Sequence, residues 1–301
     1  MKGALMKTNN CRPLLGKAKS EGIWYLFLLP TLIGILLFMM YPIIDSFRLS
    51  FFSSNGTIER FVGLKNYSFI LKLDIFWKSV FNTFYISFFQ LLITVPLGFI
   101  ISCLINNAKK CQNILKILFF IPYVTPSVAA ATLFLFILHP QGLLNSFLGL
   151  FGINPVVWLQ NSTSARWGAI MLGGWQYIGF VIIIFLANLQ AIPLDYYEAA
   201  TIDGASKFQS WRHITIPLMK KTFAFLITTG WISGLQRFTD VYILGGLQGS
   251  PARSLHTIVG FIFERGFGGY EFGVASAASY VLFLIIFIFT IINMKLTKME
   301  I

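Results

Sequence analysis

The chain has 301 residues, of which 56% are hydrophobic and only 11% are charged. This balance excludes an ordinary soluble domain. The formal charge of +12 is carried by lysines and arginines scattered among the loops. No basic stripe accompanied by base-stacking aromatics is present, which excludes a nucleic-acid partner. The sequence therefore predicts an all-α, polytopic membrane protein.

The apolar segments, taken in chain order, predict six membrane spans. The fifth is the weakest, because Thr222 to Gln236 gives 15 residues before Arg237. Continued through Asp240 to Leu244 it reaches 23 residues. This length is enough to span the membrane if Arg237 and Asp240 lie at one membrane interface. Backbone groups in hydrocarbon must be satisfied internally, and the alternation of barrel strands is absent, so the spans are predicted to be helices. The five clear stretches run from Ile23 to Ile44, Val80 to Ile105, Ile117 to Leu138, Trp167 to Ile192 and Gly273 to Met294.

The charge distribution predicts an orientation. More than half of the 23 lysines and arginines fall in segments that are inside when both termini are cytoplasmic. The first apolar run has no Ala-x-Ala-like cleavage site, which favours a retained helix over a signal peptide. We therefore predict a cytoplasmic tail over 1–22, a six-helix domain over 23–294 that carries an inner loop over 193–221, and a cytoplasmic tail over 295–301.

Two prolines, Pro122 and Pro126, interrupt the third span and predict a broken or kinked helix. Such a break either has a direct functional role or is one of the kinks that are common in membrane helices, and both interpretations stay open. On the inner side, the connection from Asn106 to Lys116 is short, whereas Pro193 to Lys221 is much longer than neighbouring helices need. The long inner loop is therefore predicted to have a structure and purpose of its own.

The first half of the inner loop has the pattern of a short capped helix. Asp195 followed by Glu198 forms an N-cap and capping-box pattern, which predicts a helix over about Tyr196 to Asp203. Gly204 then permits the chain to bend.

A second short helix is predicted after the bend. Ser206 is expected to cap it, and it should run through about His213 before Pro217 opens the fifth span. Two short helices that meet at a glycine would form a compact projection from the membrane.

This projection offers a surface that another protein can approach closely. Ala199 and Ala200 have small side chains, and Glu198 offers a carboxylate to an arginine or lysine of a partner. Such an arrangement is typical of helix-in-groove recognition. The alternative is an ordinary amphipathic interfacial helix whose apolar face rests on lipid.

The same residues stand at a recognisable spacing. Glu198-Ala199-Ala200 is followed by three residues, Gly204, nine residues and Ile214-Thr215-Ile216-Pro217. The pattern resembles the cytoplasmic signature of the permeases of binding-protein-dependent ATP-binding-cassette importers, with Ile216 where the signature has Leu. The resemblance implies the type I importer permease fold in a prokaryotic plasma membrane. It also implies coupling to a separate ATPase through Glu198, Ala199, Ala200, Asp203, Gly204, Ile214 and Pro217.

The resemblance covers nearly the whole chain and narrows to the carbohydrate branch related to the maltose and glycerol-phosphate permeases. The first external segment carries Phe61-Val62-Gly63-Leu64-Lys65-Asn66-Tyr67, and a late one begins with Phe238-Thr239-Asp240. The late segment departs from the branch, because Leu247-Gln248-Gly249 stands before Ser250-Pro251 where the branch has Gly-Gly-Pro. The resemblance implies a sugar or related polyol as substrate. The implied partners are a second permease subunit, with a heterodimer favoured over a homodimer, two ATPase subunits, an extracytoplasmic solute-binding protein and membrane lipid.

Seven residues of the fourth and fifth spans fall where the maltose-permease branch contacts its sugar, counted by offset from the Glu-Ala-Ala run. A sugar path needs aromatic faces and hydrogen-bonding groups, because each hydroxyl stripped of water must be paired. Few residue types match the branch, so the identity of the sugar is not implied. Close helix packing explains the glycines equally well, interfacial anchoring explains the aromatics, and neutralisation by Asp240 at the outer interface explains Arg237. The candidates are Gly174, Tyr177, Phe180, Gly230, Ser233, Gly234 and Arg237.

Two other classes of membrane protein fit the sequence less well. A membrane-embedded enzyme would need a nucleotide-binding or catalytic motif, yet Gly16-Lys17 is followed by Ala18 rather than Ser or Thr, and the three histidines are isolated. No catalytic residue, metal site or cofactor is therefore expected. A secondary transporter without an ATPase would need buried acids for ion coupling, and the first four spans and the last contain none.

Overall fold

The computed structural model describes residues 26–108 and 111–297. The predicted tail over 1–22 and the end of the C-terminal tail lie outside this part of the chain. Helix α1 (Leu26–Leu49) contains one π-helical turn (Leu36–Met40). It leads into an antiparallel hairpin, β1 (Phe52–Ser54) and β2 (Glu59–Phe61), in which Phe52 pairs with Phe61. Helix α2 (Lys65–Lys72) follows.

The middle of the chain forms two long helices with a broken one between them. The break falls at Thr125, which is extended with ψ 128°, because the residue before a proline is disfavoured in the helical conformation. The two halves are bent by 95°, so the broken third helix predicted from Pro122 and Pro126 is confirmed. The elements are α3 (Asp74–Asn107), α4 (Gln112–Val124), α5 (Ser127–Ile137), α6 (Leu143–Gly149) and α7 (Ser162–Gln190).

The inner loop and the last third of the chain are also helical. A π-helical turn (Trp211–Thr215) joins α9 to α10, and another (Glu264–Gly268) follows α13. The elements are α8 (Asp195–Ile202), α9 (Lys207–Ser210), α10 (Ile216–Leu218), α11 (Lys220–Leu235), α12 (Thr239–Gly245), α13 (Ile258–Phe263) and α14 (Phe272–Thr297).

Helices α1, α3, α7 and α14 are long and apolar enough to cross a membrane, and the bent pair α4–α5 makes a fifth candidate span within 26–108 and 111–297. These correspond to five of the six predicted spans. The remaining span is shorter than predicted, because α11 has 16 residues and ends at Leu235. Its continuation to Leu244 as one helix is wrong: residues 236–238 interrupt it before α12 begins. The interruption lets the Arg237 side chain reach partners inside the bundle.

Helices α3 and α7 form the centre of the bundle. Small residues let them approach, since a Cβ on Gly98 of α3 would lie 2.5 Å from Val181 Cγ1 of α7. Phe99, Phe185 and, from α11, Leu226 are buried in the same core as Val181. Close van der Waals packing at small residues is a usual basis of helix association in lipid. These three helices therefore form the frame on which the other elements are placed.

The segment from Phe61 to Tyr67 ties the hairpin to the end of α1. Asn66 Nδ2 donates to Ser50 O and to Phe52 O, at 2.9 Å each. Tyr67 Oη donates to Ser50 Oγ at 2.7 Å. Because the Asn66 amide is buried, these bonds satisfy groups that would otherwise be costly. Asn66 and Tyr67 thus have a structural role in this segment.

A buried polar network lies at the same end of the bundle as the hairpin. Asn82 Nδ2 donates to Arg253 O at 2.7 Å and to His256 O at 3.0 Å. The His256 ring is held between two side chains, with Nδ1 2.8 Å from Ser79 Oγ and Nε2 3.0 Å from Glu264 Oε2. Burial lowers the pKa of His256 from 6.5 to about 4, although the Glu264 carboxylate favours the charged form. The network therefore holds a neutral imidazole at neutral pH.

This network predicts a loss of stability in mild acid. Between pH 6.5 and 4 the unfolded chain binds a proton at His256 that the folded chain does not, so the free energy of unfolding falls as the pH falls through this window, by up to about 3 kcal/mol. The apparent Tm of the purified protein, followed from pH 7.5 to 4, should drop. His256→Gln should flatten the part of the drop above pH 5. An unchanged slope in the variant would show that His256 is not its source.

Candidate functional site

A cavity of about 390 Å³ lies where the break between α4 and α5 meets α3, α7 and α11. Its wall is made mainly of aromatic rings, hydroxyl and amide groups, and glycines. Arg237 and Asp240 are its only Lys, Arg, Asp or Glu residues. The lining residues are Gln90, Tyr123, Thr125, Ser127, Gly173, Gln176, Tyr177, Phe180, Thr229, Gly230, Ser233, Gly234, Arg237, Phe238, Thr239 and Asp240.

The broken helix supplies one side of the cavity. Gln176 Nε2 of α7 donates to the carbonyl oxygen of Thr125 at 3.2 Å, which satisfies a backbone group released by the break. The Tyr123 ring, next to the break, stacks on Phe180 with centroids 5.3 Å apart. Phe180 in turn lies 5.7 Å from the Tyr177 ring. Three aromatic rings therefore line one wall in series.

Glycines of α11 shape the opposite wall. A Cβ on Gly230 would overlap Leu91 Cδ2 and lie 3.0 Å from Tyr177 Oη, and one on Gly234 would lie 2.6 Å from Ser87 Oγ. Tyr177 Oη donates to Leu226 O at 3.1 Å. The glycines thus let α11 approach α3 and α7 while leaving the Tyr177 ring at the cavity. The packing and cavity-lining interpretations of Gly230 and Gly234 apply together.

The Arg237 guanidinium is held by groups from three helices. Nε donates to Asp240 Oδ2 at 2.6 Å, Nη1 to Gln90 Oε1 at 2.9 Å, and Nη2 to Ala169 O at 2.6 Å. The side chains of Arg237 and Asp240 are each only 9% exposed. Gln90 lies at the middle of the 34-residue helix α3. The two side chains neutralise one another as predicted, and their other partners lie inside the bundle.

Gly173 leaves the space that this arrangement needs. A Cβ there would lie 2.5 Å from both Arg237 Nη1 and Gln90 Oε1. The neighbouring Gly174 is rotated by about 100° around the helix and faces Thr94 instead, 3.2 Å from a Cβ to Cγ2. It lines a separate apolar cavity of about 610 Å³ formed by α3, α4 and α7.

The cavity brings together six of the seven residues predicted for a substrate path, namely Tyr177, Phe180, Gly230, Ser233, Gly234 and Arg237, and leaves Gly174 outside. Sequence reasoning missed Gln90, Gly173 and Thr229. A signal was present for Gln90, because an amide side chain in an apolar span is costly unless it has partners.

The first half of the inner loop forms helix α8 as predicted, but its cap differs. Leu194 is the N-cap residue and makes no side-chain cap bond, so the capping-box role of Asp195 is wrong. Asp195 is instead the first helical residue. The negative charges of Asp195 and Glu198 in the first turn stabilise the helix, because they lie near the positive end of its dipole. Gly204 has φ +77°, a conformation in which a side chain would be strained, so the predicted bend is confirmed.

The second half of the loop is capped by Ser206 as predicted. Gln209 N donates to Ser206 Oγ at 3.3 Å, and Ser206 N donates to Gln209 Oε1 at 2.7 Å. The α-helix ends at Ser210 and continues as a π-helical turn, which contains His213. Tyr197 Oη lies 3.0 Å from Thr215 Oγ1 and links the two halves.

Trp211 connects the inner loop to the helix bundle. Its ring stacks on Phe99 of α3 at 6.0 Å and on Phe208 of α9 at 5.8 Å. On the face of the loop that points away from the helix bundle, Ile202 is 86% exposed and Phe208 is 64% exposed. The loop is therefore anchored on one side and apolar and open on the other. Of the predicted coupling residues, Ala200 and Ile214 are half-buried, and the exposed ones are Glu198, Ala199, Asp203, Gly204 and Pro217.

The chain is similar to known proteins over nearly its whole length. Residues 94–296 match the family described as binding-protein-dependent transport system inner membrane component. The arabinooligosaccharides transport system permease protein AraP of Bacillus subtilis is 32% identical, over 97% of both chains. The trehalose/maltose transport system permease protein MalF of Thermococcus litoralis is 32% identical, over 94% of this chain and 96% of its own length.

A solved structure shares the fold. A chain from a bacterial ABC transporter that imports the acidic polysaccharide alginate superposes with a TM-score of 0.79 at 23% identity, covering 95% of this chain and 98% of its own.

The two adjacent glycines of α7 give a matched test of the Arg237 site. Gly173→Ala and Gly174→Ala gain the same helix propensity, but only the first places a Cβ against Arg237 and Gln90. Gly173→Ala should lower the free energy of unfolding by about 1 to 3 kcal/mol through overpacking, and Gly174→Ala should change it little or raise it. The apparent Tm of both purified variants measures the difference. Equal Tm values would contradict the assigned role of Gly173.

Proposed function

The chain belongs to the family of binding-protein-dependent transport system inner membrane components, and we propose that it carries a sugar or related polyol into the cell as one permease subunit of an ATP-driven importer. The cavity at the broken helix is the observation that carries this proposal. Its aromatic rings can stack on sugar faces, and its hydroxyl and amide groups can pair with sugar hydroxyls. The similar permeases serve arabinooligosaccharides and trehalose or maltose, by their names, which supports the same class of substrate here.

The substrate path is proposed to run along this cavity. Tyr177 and Phe180 supply stacking faces, and Ser233 supplies a hydroxyl on α11. Gly230 and Gly234 act indirectly, because they set how closely α11 approaches the other helices. A second permease subunit closes the other side of the path, and an extracytoplasmic solute-binding protein delivers the sugar.

The inner loop is proposed to couple ATP hydrolysis by the partner ATPase subunits to the movement of this subunit's helices. Two ATPase subunits of the complex bind the exposed surface around Glu198, Ala199 and Ile202. Because Trp211 stacks on Phe99 of α3 and α10 leads into α11, a displacement of the loop moves both helices. Helix α11 is about 24 Å long at 1.5 Å per residue and reaches the cavity at Gly230 and Ser233. ATP-driven closure of the ATPases would thus change access to the cavity, which is alternating access.

The orientation is proposed from the positive-inside bias, with the inner loop cytoplasmic and the hairpin external. In a cysteine-free background, Lys65→Cys should react with an impermeant maleimide added to intact cells, and Lys207→Cys should react only after lysis. Both positions are exposed, so access depends on the side of the membrane. Restored Cys111, exposed within the short inner connection, serves as an inside control. Labelling of 207 in intact cells would reverse the orientation.

Three substitutions in the inner loop test the coupling role. Gly204→Pro cannot adopt φ +77° because proline fixes φ near −65°, Ala199→Trp adds bulk to the docking surface, and Glu198→Lys inverts a charge. We expect each to reduce binding-protein-stimulated ATP hydrolysis and sugar uptake in proteoliposomes by about tenfold or more, since interfacial charge and packing losses cost a few kcal/mol. Co-purification of the ATPase should fall as well.

The control is Lys72→Glu, an equal charge reversal on the exposed surface of α2 at the opposite end of the bundle. It should leave hydrolysis, uptake and co-purification unchanged. Wild-type values in all three loop variants would rule out this loop as the coupling element. Absence of uptake of any saccharide by the wild-type complex, with stimulated hydrolysis intact, would reject the substrate class and leave the coupling role standing.

A further inference from the structure

The cavity has one cation and one anion, and they are paired with each other. Among its lining residues only Arg237 and Asp240 carry a full charge, and Arg237 Nη2 lies 2.5 Å from Asp240 Oδ2 in addition to the bond from Nε. The wall that faces a solute therefore has no net charge.

The Arg237 guanidinium, although it lines the cavity, is also largely buried and hydrogen-bonded to protein groups. Each of its three nitrogens already donates, to Asp240, to Gln90 Oε1 and to Ala169 O. Its side chain is 9% exposed. With the ion pair from Nη2 to Asp240, these bonds use four of the five guanidinium N–H groups. A carboxylate of a solute that bound the fifth, on Nη1, would stand close to the Asp240 carboxylate. Like charges at short range in a poorly solvated site repel strongly.

Asp240 is fixed in this position by its own backbone contacts. Its Oδ1 accepts from the Val241 N–H at 2.9 Å, in the first turn of α12. The Asp240 carboxylate thus accepts hydrogen bonds from both Val241 N–H and Arg237 Nε, which holds it against the guanidinium. In this arrangement the negative charge of the buried Asp240 neutralises the positive charge of the buried Arg237.

From this geometry we infer that this permease selects uncharged saccharides, and that Asp240 determines this by neutralising Arg237 and repelling acidic sugars such as uronates. The inference rests on the proposed function and adds the charge class of the substrate. Asp240 acts as a specificity residue that need not touch a neutral sugar. Removal of its charge should convert Arg237 into a binding group for a carboxylate.

The experiment measures saccharide binding to the assembled transporter in lipid nanodiscs, without the solute-binding protein, by isothermal titration calorimetry. The neutral probes are maltotriose, arabinotriose and fully methyl-esterified trigalacturonate. The acidic probe is free trigalacturonate, which has the same sugar rings as its ester but carries charged carboxylates in place of the methyl ester groups. The wild type should bind at least one neutral probe and should bind the ester at least about tenfold more tightly than the free acid.

Asp240→Asn should raise the affinity for free trigalacturonate by about tenfold and leave that for the neutral probes little changed. The gain should weaken with added salt and disappear in the double variant Arg237→Gln/Asp240→Asn. A merely structural role of Asp240 would instead lower the affinity for neutral and acidic probes together.

The wild-type comparison of the ester with the acid needs no variant to fold. Equal binding of the two, or tighter binding of the acid, would overturn the inference and leave the proposed function intact. An assembled Asp240→Asn complex without any gain for the acid would also overturn it. Failure of every neutral and acidic probe to bind would count against the proposed function itself.

Discussion

The buried guanidinium of Arg237 is the interaction on which the centre of this permease depends. A full charge inside an apolar bundle must be paired and hydrogen-bonded, or it destabilises the fold. The partners come from α3, α7 and the start of α12, so one side chain joins three helices. The interruption after Leu235 allows this contact, because a continuous helix would carry the residue past its partners.

The same requirement explains features that otherwise look unrelated. Gly173 is small because the guanidinium occupies the place of its side chain, and Gln90 is an amide in the middle of an apolar helix because Arg237 needs an acceptor there. The break at Thr125 follows the same logic, since Gln176 satisfies the backbone carbonyl that the break releases. The polar side chains of Arg237, Gln90 and Gln176 are tolerated inside the bundle because each has a hydrogen-bond partner. The cavity is thus a consequence of how the bundle satisfies its own polar groups.

The path from the inner loop to the cavity is short and made of packed elements. Trp211 stacks on a core aromatic of α3, and α10 continues into α11, whose glycines line the cavity. Packed aromatic contacts transmit displacement because a close-packed interior deforms little. The exposed side of the loop, with Ile202 and Phe208 open, is suited to a protein partner rather than to bulk water. Under the proposed coupling, this path would carry a displacement of the inner loop to the cavity.

Much of the architecture was determined by the sequence alone, because it depends on local patterns. Apolar length predicted five of the spans, Pro122 and Pro126 predicted a broken or kinked third helix, Gly204 predicted a bend, and Ser206 predicted a cap. The family signature Glu198-Ala199-Ala200 with Gly204 gave the family, since its spacing is a property of the chain. Other features were decided only by the tertiary structure. Gly173 rather than Gly174 faces the cavity, Asp195 does not cap α8, and Arg237 with Asp240 is buried, because each outcome depends on groups brought near by distant helices.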